Sequence, residues 1–194
     1  LYALHPRLLF QYWRNVRRFP DIAVFMRQRS KSLLAEERRG FKKLLAKGPV
    51  SVSWVKSIDE FDHVFADLVR LKRTWLLSKE KSSGWLSNDR AVAALRSYAK
   101  GAIAPGQAHL QCINVGGDRV AINLSFRDNA TLTSFLSSYD SAFSQFGVGR
   151  LSTLTMVRRA LVGDARIIDH LGGTNLLKTS MTNQVVQQYT LEID

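Results

Sequence analysis

Hydrophobic and polar positions change rhythm several times along the chain, and each change predicts an element. From Pro6 to about Arg18, residues Leu8, Leu9, Tyr12, Trp13 and Val16 recur among arginines at helical spacing, which predicts a helix interrupted by Pro20. A second helix is predicted from about Ser30 to Ala46, ended by Gly48-Pro49, with Gly40 as an unfavourable interior residue. After Pro49 the period shortens: Val50, Val52 and Trp54 alternate with Ser51 and Ser53, as in a strand with one buried face. Ser57 followed by Glu60 forms a capping box, and Phe61, Val64, Phe65, Leu68, Leu71 and Trp75 continue a helical stripe. A polar loop from Lys79 to Asn88 precedes another helix, from about Asp89 to Ile103, ended by Pro105-Gly106.

Strand-like runs follow. His109 to Val115 and Arg119 to Phe126 flank the hairpin signal Gly116-Gly117-Asp118, and Asp128-Asn129 turns the chain into Thr131 to Tyr139. A glycine-bearing loop, Ser144 to Gly149, leads to a helix through Leu151, Leu154, Val157 and Leu161. Arg166 to Asp169 then reads as a short buried strand, and Val185 to Ile193 as the last strand. Strand, loop, helix and strand from Thr131 to Asp169 imply a parallel pair joined by a right-handed crossover. The expected fold is mixed α/β (α+β): one mainly antiparallel sheet flanked by helices, with an N-terminal helical extension. Residues 1–29 are expected to be a helical linker or the remnant of a preceding domain, and residues 30–194 the domain proper.

Composition narrows the classes. With 45% apolar and 23% charged residues among 194, the chain is neither a disordered tail nor a membrane protein, and no apolar run reaches the ~20 residues of a spanning helix. The single cysteine, Cys112, excludes an internal disulfide and a multi-cysteine zinc site. Leu1 in place of methionine, with no signal-peptide pattern after it, reads as a piece of a longer protein, and the expected compartment is the cytoplasm. Lysine and arginine total 28 against 16 acids, a net charge of +12 that favours anionic partners. Between Arg7 and Lys47 the only acids are Asp21, Glu36 and Glu37, so the excess lies mainly there. A solvated helix face, a face toward a preceding domain of the same protein, and a nucleic-acid or membrane surface all fit that charge run.

The most informative stretch for chemistry is Ser144 to Leu151. Glycines between a strand and a helix let backbone N–H groups converge where the unpaired amides and dipole of the helix start favour phosphate. Neither a P-loop Gly-Lys-Ser/Thr nor a complete Rossmann fingerprint is present, and a plain tight turn accounts for the glycines equally well. His109 and Cys112 differ in strand parity and read as structural, and His5 and His63 join no metal-ligand pattern. No metal is expected, and no Ser-His-Asp or Cys-His arrangement is seen.

The block Thr133-Ser-Phe-Leu-Ser-Ser-Tyr139-Asp140, with Phe143 and Phe146-Gly-Val-Gly149 after it, resembles the centre of a GNAT-superfamily acyltransferase domain. More narrowly, it is similar to the CelD group linked to bacterial cellulose biosynthesis. In that group a Tyr-Ser-Pro-Gly loop, a helix, a strand ending in Asp, a Gly and a Tyr-Lys-x-x-Trp element succeed one another. Here Phe146-Gly-Val stands in the loop, Asp169 ends the strand, Gly172 or Gly173 and Lys178 follow, Leu177 replaces the Tyr, and Met181 lies near the Trp position. Leu71-Lys72-Arg73-x-Trp75 and the basic helix ending at Gly48-Pro49 also resemble family elements, so the likeness runs from about Ser30 to the C-terminus.

The resemblance implies acyl transfer, most simply of acetyl from acetyl-CoA or another acyl-CoA cosubstrate, to an amine or hydroxyl of a small-molecule or saccharide-linked acceptor. Gly147, Val148, Gly149 and Arg150 would then meet the pyrophosphate, and Arg158 or Arg159 another phosphate unless simply solvated. Tyr139 would protonate the leaving thiolate or merely pack at a strand end. Asp169, beside His170, would act as a base or cap a loop; Lys178 would bind an anionic acceptor or remain solvated. Two other functions stay open: a Fem-like aminoacyltransferase taking aminoacyl-tRNA, which the basic N-terminal segment would suit, and a noncatalytic module of an envelope-synthesis complex.

Overall fold

The computed structural model describes residues 4–16, 27, 31–163, 165–172, 178–179 and 182–193. Seven strands form one sheet in the order β2-β3-β4-β5-β6-β1-β7. In chain order these are β1 (Leu4–Val16), β2 (Val50–Trp54), β3 (Ala108–Val115), β4 (Asp118–Asp128), β5 (Thr131–Tyr139), β6 (Ile167–Asp169) and β7 (Gln184–Ile193). Among the described residues they are accompanied by the helices α1 (Lys31–Leu45), α2 (Ile58–Leu77), α3 (Asp89–Ile103) and α4 (Val148–Val162). All strand pairs are antiparallel except β5 and β6, which run parallel through the α4 crossover.

Local chemistry explains most of these boundaries. Ser57 caps α2 by accepting from the Glu60 N–H at 3.2 Å, and Asn88 caps α3 by accepting from the Arg90 and Ala91 N–H groups. Val115 pairs with Asp118, so Gly116 and Gly117 form a two-residue hairpin turn. The expected elements from residue 30 onward are found in place. The N-terminal segment is the correction: Leu4–Val16 is a strand, not a helix, lying between β6 and β7. Gly173, Leu177 and Met181 lie outside the described residues.

The core on one face joins α2 and α3 to the sheet through Phe61, Phe65, Leu68, Leu110, Ile122 and Leu124. Each of these is at most 2% exposed. The other face carries α1 and α4. There Leu44, Ile113, Val115, Ala121 and Val148 form a smaller cluster joined by Tyr139, Phe143 and Phe146. Gly40 explains itself here. A Cβ at that position would lie 2.6 Å from the Phe146 carbonyl oxygen, so only glycine lets α1 approach the turn that opens α4.

Candidate active site

The parallel pair is short. Thr131, Leu132 and Thr133 face Ile167, Ile168 and Asp169, after which β5 continues to Tyr139 with no further β6 partner. A register shift opposite Leu124 and Ser125 makes Phe135 the extra residue of a bulge at the point where the pair parts. Bulges of this kind bend a strand and re-aim its side chains, and this one lies on the wall of a cavity of ≈ 430 Å³. Lys72, Trp85 and Leu86 line that cavity from the α2 side, Thr153 from α4, and His170 and Lys178 from the chain after β6. Walls contributed from both helical layers mean that the cavity passes through the parted sheet.

A second hollow of ≈ 410 Å³ lies at the start of α4, bordered by Arg39, Lys43, Ser144, Gln145, Gly147 and Arg150. A 3-10 turn (Ser141–Phe146) ends on Gly147, whose φ of 72° is left-handed and suits glycine. The Gly147 N–H donates to the Ser144 carbonyl, and the Arg150 and Leu151 N–H groups donate to the Gly147 carbonyl. The amides of Val148 and Gly149 make no backbone hydrogen bond, although neither residue borders the hollow and Val148 is fully buried. Arg150 directs its Nη1 to Glu36 at 3.3 Å, while its buried Nε has no hydrogen-bond partner. Arg158 is exposed, roughly 12 Å farther along the helix axis than Arg150.

Tyr139 stands between the two hollows. Its ring lies against Gly149, where a Cβ would come within 3.2 Å, and its hydroxyl accepts from the Trp75 Nε1–H at 3.4 Å. Lys72 Nζ lies 4.4 Å from the Trp75 ring centroid, so a chain of contacts runs from the cavity through Trp75 and Tyr139 to the α4 turn.

Asp169 is buried, and its Oδ1 accepts from the Leu171 N–H at 2.8 Å, which fixes the turn after β6. It is the neighbouring His170 that lines the cavity. Burial, reinforced by the charge of Lys178 and opposed by that of Asp169, pulls its imidazole down to about 4, so it is neutral at neutral pH. Lys178 lines the same cavity and donates to the carbonyls of Leu171 and Gly172. Burial lowers the pKa of Lys178 and of Lys72.

Of the residues the resemblance implies, Gly147 and Arg150 border the hollow at α4 and Lys178 lines the cavity, whereas Val148, Gly149, Arg158, Tyr139 and Asp169 line neither. Sequence reasoning did not place Lys72, Trp75 and Trp85 at the site. The available signal was Lys72 three residues before Trp75, one helical turn apart.

The mixed sheet is parted beside a glycine turn, and a cavity crosses the parting. The chain belongs to the acetyltransferase (GNAT) domain family, whose family model matches residues 31–179. Solved structures agree in fold. A conserved protein of unknown function from Bacteroides thetaiotaomicron aligns at TM-score 0.64 and 13% identity, over 98% of this chain and 62% of that one. The C-terminal domain of a protein described as a lysylphosphatidylglycerol synthetase, from Agrobacterium fabrum, aligns at 0.59 and 12%, over 98% and 61%. FemX aligns at 0.62 and 9%, over 88% and 55%. The chain thus spans less than two thirds of each of these structures. No curated protein sequence matches it.

Proposed function

We propose that the chain is an acyl-CoA-dependent acyltransferase, transferring acetyl to an amine or hydroxyl. The observation that carries this is the parting of β5 from β6 at Thr133, with one cavity through the gap and a glycine turn beside it. What supports a pyrophosphate at the turn is the positive end of α4 with Arg39, Lys43 and Arg150 around the hollow, Arg150 being paired there with Glu36. Acyl-CoA supplies an already activated thioester. The protein's part is to hold it, align the nucleophile and move protons. Tyr139 accepts from Trp75, which leaves its own O–H to protonate a leaving thiolate. His170, kept neutral, is the imidazole facing the cavity that takes a proton from the acceptor, while Asp169 positions the turn. An acceptor in exopolysaccharide or envelope biosynthesis, in the cytoplasm, follows from the resemblance to the CelD group.

Calorimetric titration with acetyl-CoA tests this. Saturable binding is expected, and Gly149→Val, whose side chain must displace the Tyr139 ring, should weaken it about tenfold or more in a folded protein. The second reading takes aminoacyl-tRNA, which the exposed Arg38, Arg39, Lys42 and Lys43 of α1 favour. Tight tRNA binding whose log K falls by about 0.9 per phosphate contacted, without CoA binding, would replace the first reading with the second.

A further inference from the structure

We propose that the acceptor bound in the cavity through the sheet carries an anionic group, a carboxylate or a phosphate, attached to an apolar or ring portion. The proposal rests on the acyltransferase reading and names the class of acceptor. Its first support is the composition of the cavity wall. Among the described residues that wall holds Lys72 and Lys178, the neutral His170 and several hydroxyls, but no aspartate or glutamate. Lys178 is set in place by the carbonyls of Leu171 and Gly172 and feels the charge of Asp169 behind the wall and, less strongly, that of Lys72. Among the described residues Lys72 makes no ion pair, and its ammonium lies over the face of the Trp75 ring. Removing two ammonium groups from water toward one cavity is costly, and an anion lodged between them offsets the cost. A cationic acceptor would add a third like charge to the same space.

The second support is the aromatic wall beside the lysines. The rings of Trp85 and Phe135 lie 6.3 Å apart, and Phe126 braces Phe135 edge-on at 5.4 Å. Trp85 is 37% and Phe135 41% exposed, so both present an open ring at the cavity. The Phe135 bulge is what brings its ring to that face. Charge on one wall and flat apolar surface on the other suit an acceptor with both features. The phosphates of the donor are not the anion in question. Their turn lies beyond Tyr139 on the α4 side, whereas Lys72 approaches from α2.

The test uses the full chain and follows tryptophan fluorescence, with Trp75 and Trp85 as local reporters. Benzoate and phenyl phosphate should bind saturably, while benzamide, the uncharged analogue of benzoate, should bind at least about tenfold more weakly, as expected for loss of a charge-assisted hydrogen bond. The tighter of the two anions identifies the acceptor group. Lys72→Met should weaken the anions about tenfold and leave acetyl-CoA affinity, measured separately, unchanged. Benzamide binding as tightly as benzoate, no saturable binding of either anion, or an equal loss of acetyl-CoA binding in Lys72→Met would overturn the proposal. The benzamide comparison needs no variant, so it decides the matter even if Lys72→Met does not fold. Anion binding in a protein that does not bind acetyl-CoA would instead count against the donor reading alone.

Discussion

The two faces of the sheet bury side chains of opposite character. Under α2 and α3 the contact is hydrocarbon: Phe61 and Phe65 stack at 5.5 Å over Leu110, Ile122 and Leu124. Under α4 the same strands present Gln111 and Asn123, buried to 1% and 3%, and α4 answers with Ser152 and Thr155. The Gln111 amide donates to the Ser152 carbonyl at 3.3 Å and to the Thr155 hydroxyl, and Asn123 donates to Ser134 at 2.8 Å. Gln111 Oε1, Asn123 Oδ1 and Ser152 Oγ are buried without a hydrogen bond in the protein. Such atoms cost free energy, so this part of the α4 face contributes less to stability than the hydrocarbon cluster beside it. It is the face that leads through Ser134 and Thr153 to the cavity. The apolar and the polar contacts are thus unequally divided between the two sides.

The division can be broken most directly on the apolar side. Leu124→Ala should cost about 3 kcal/mol in urea unfolding, and a cost below about 1 kcal/mol would erase the contrast. A pH titration sharpens it next. Burial draws His170 and His109 to about 4, below the ordinary 6.5, so the unfolded chain binds more protons than the folded one between those values. Stability is therefore complete above pH 6.5 and falls as the pH drops toward 4, by about 1–2 kcal/mol at pH 5 for His170. Asp62 and Asp67 titrate below their usual 3.8 and do not share this window. Urea midpoints at pH 7 and pH 5 should differ accordingly, and His170→Gln should shrink the difference. The smallest effect belongs to Asn123→Leu. It removes one hydrogen bond and one unpartnered oxygen together, so a change within about 1 kcal/mol is expected by the same urea assay.

What was legible in the sequence was local. The stripe from Phe61 to Trp75, the cap at Ser57 and the glycine turn at residue 147 act over a few residues and are legible from spacing alone. The strand Leu4–Val16 was misread as a helix for a physical reason. A register shift between Leu8 and Phe10 breaks the period-two alternation, and apolar positions three and four residues apart remain. What holds β1 extended is β7, at the far end of the chain, which no local window contains. Gly40 was read as a weak point in a helix because the Phe146 carbonyl it faces is remote in sequence. The cavity escaped for the same reason: its walls come from α2, the loop before α3, the β5 bulge and the chain after β6.

That long-range pairing also governs the order in which the molecule can assemble. Leu4 is opposite Ile193, so almost the entire chain separates the two partners. Strands β3, β4 and β5 are joined by two-residue turns and can zip locally, whereas β1 must wait for β7 to be made. On the ribosome β1 is made well before β7 and waits for its longest partner while the residues between them are added. During that interval it offers an unsatisfied strand edge to neighbouring nascent chains. Of the sheet's pairings the β1–β7 ribbon closes the longest stretch of chain, so topology makes it the most demanding one to form.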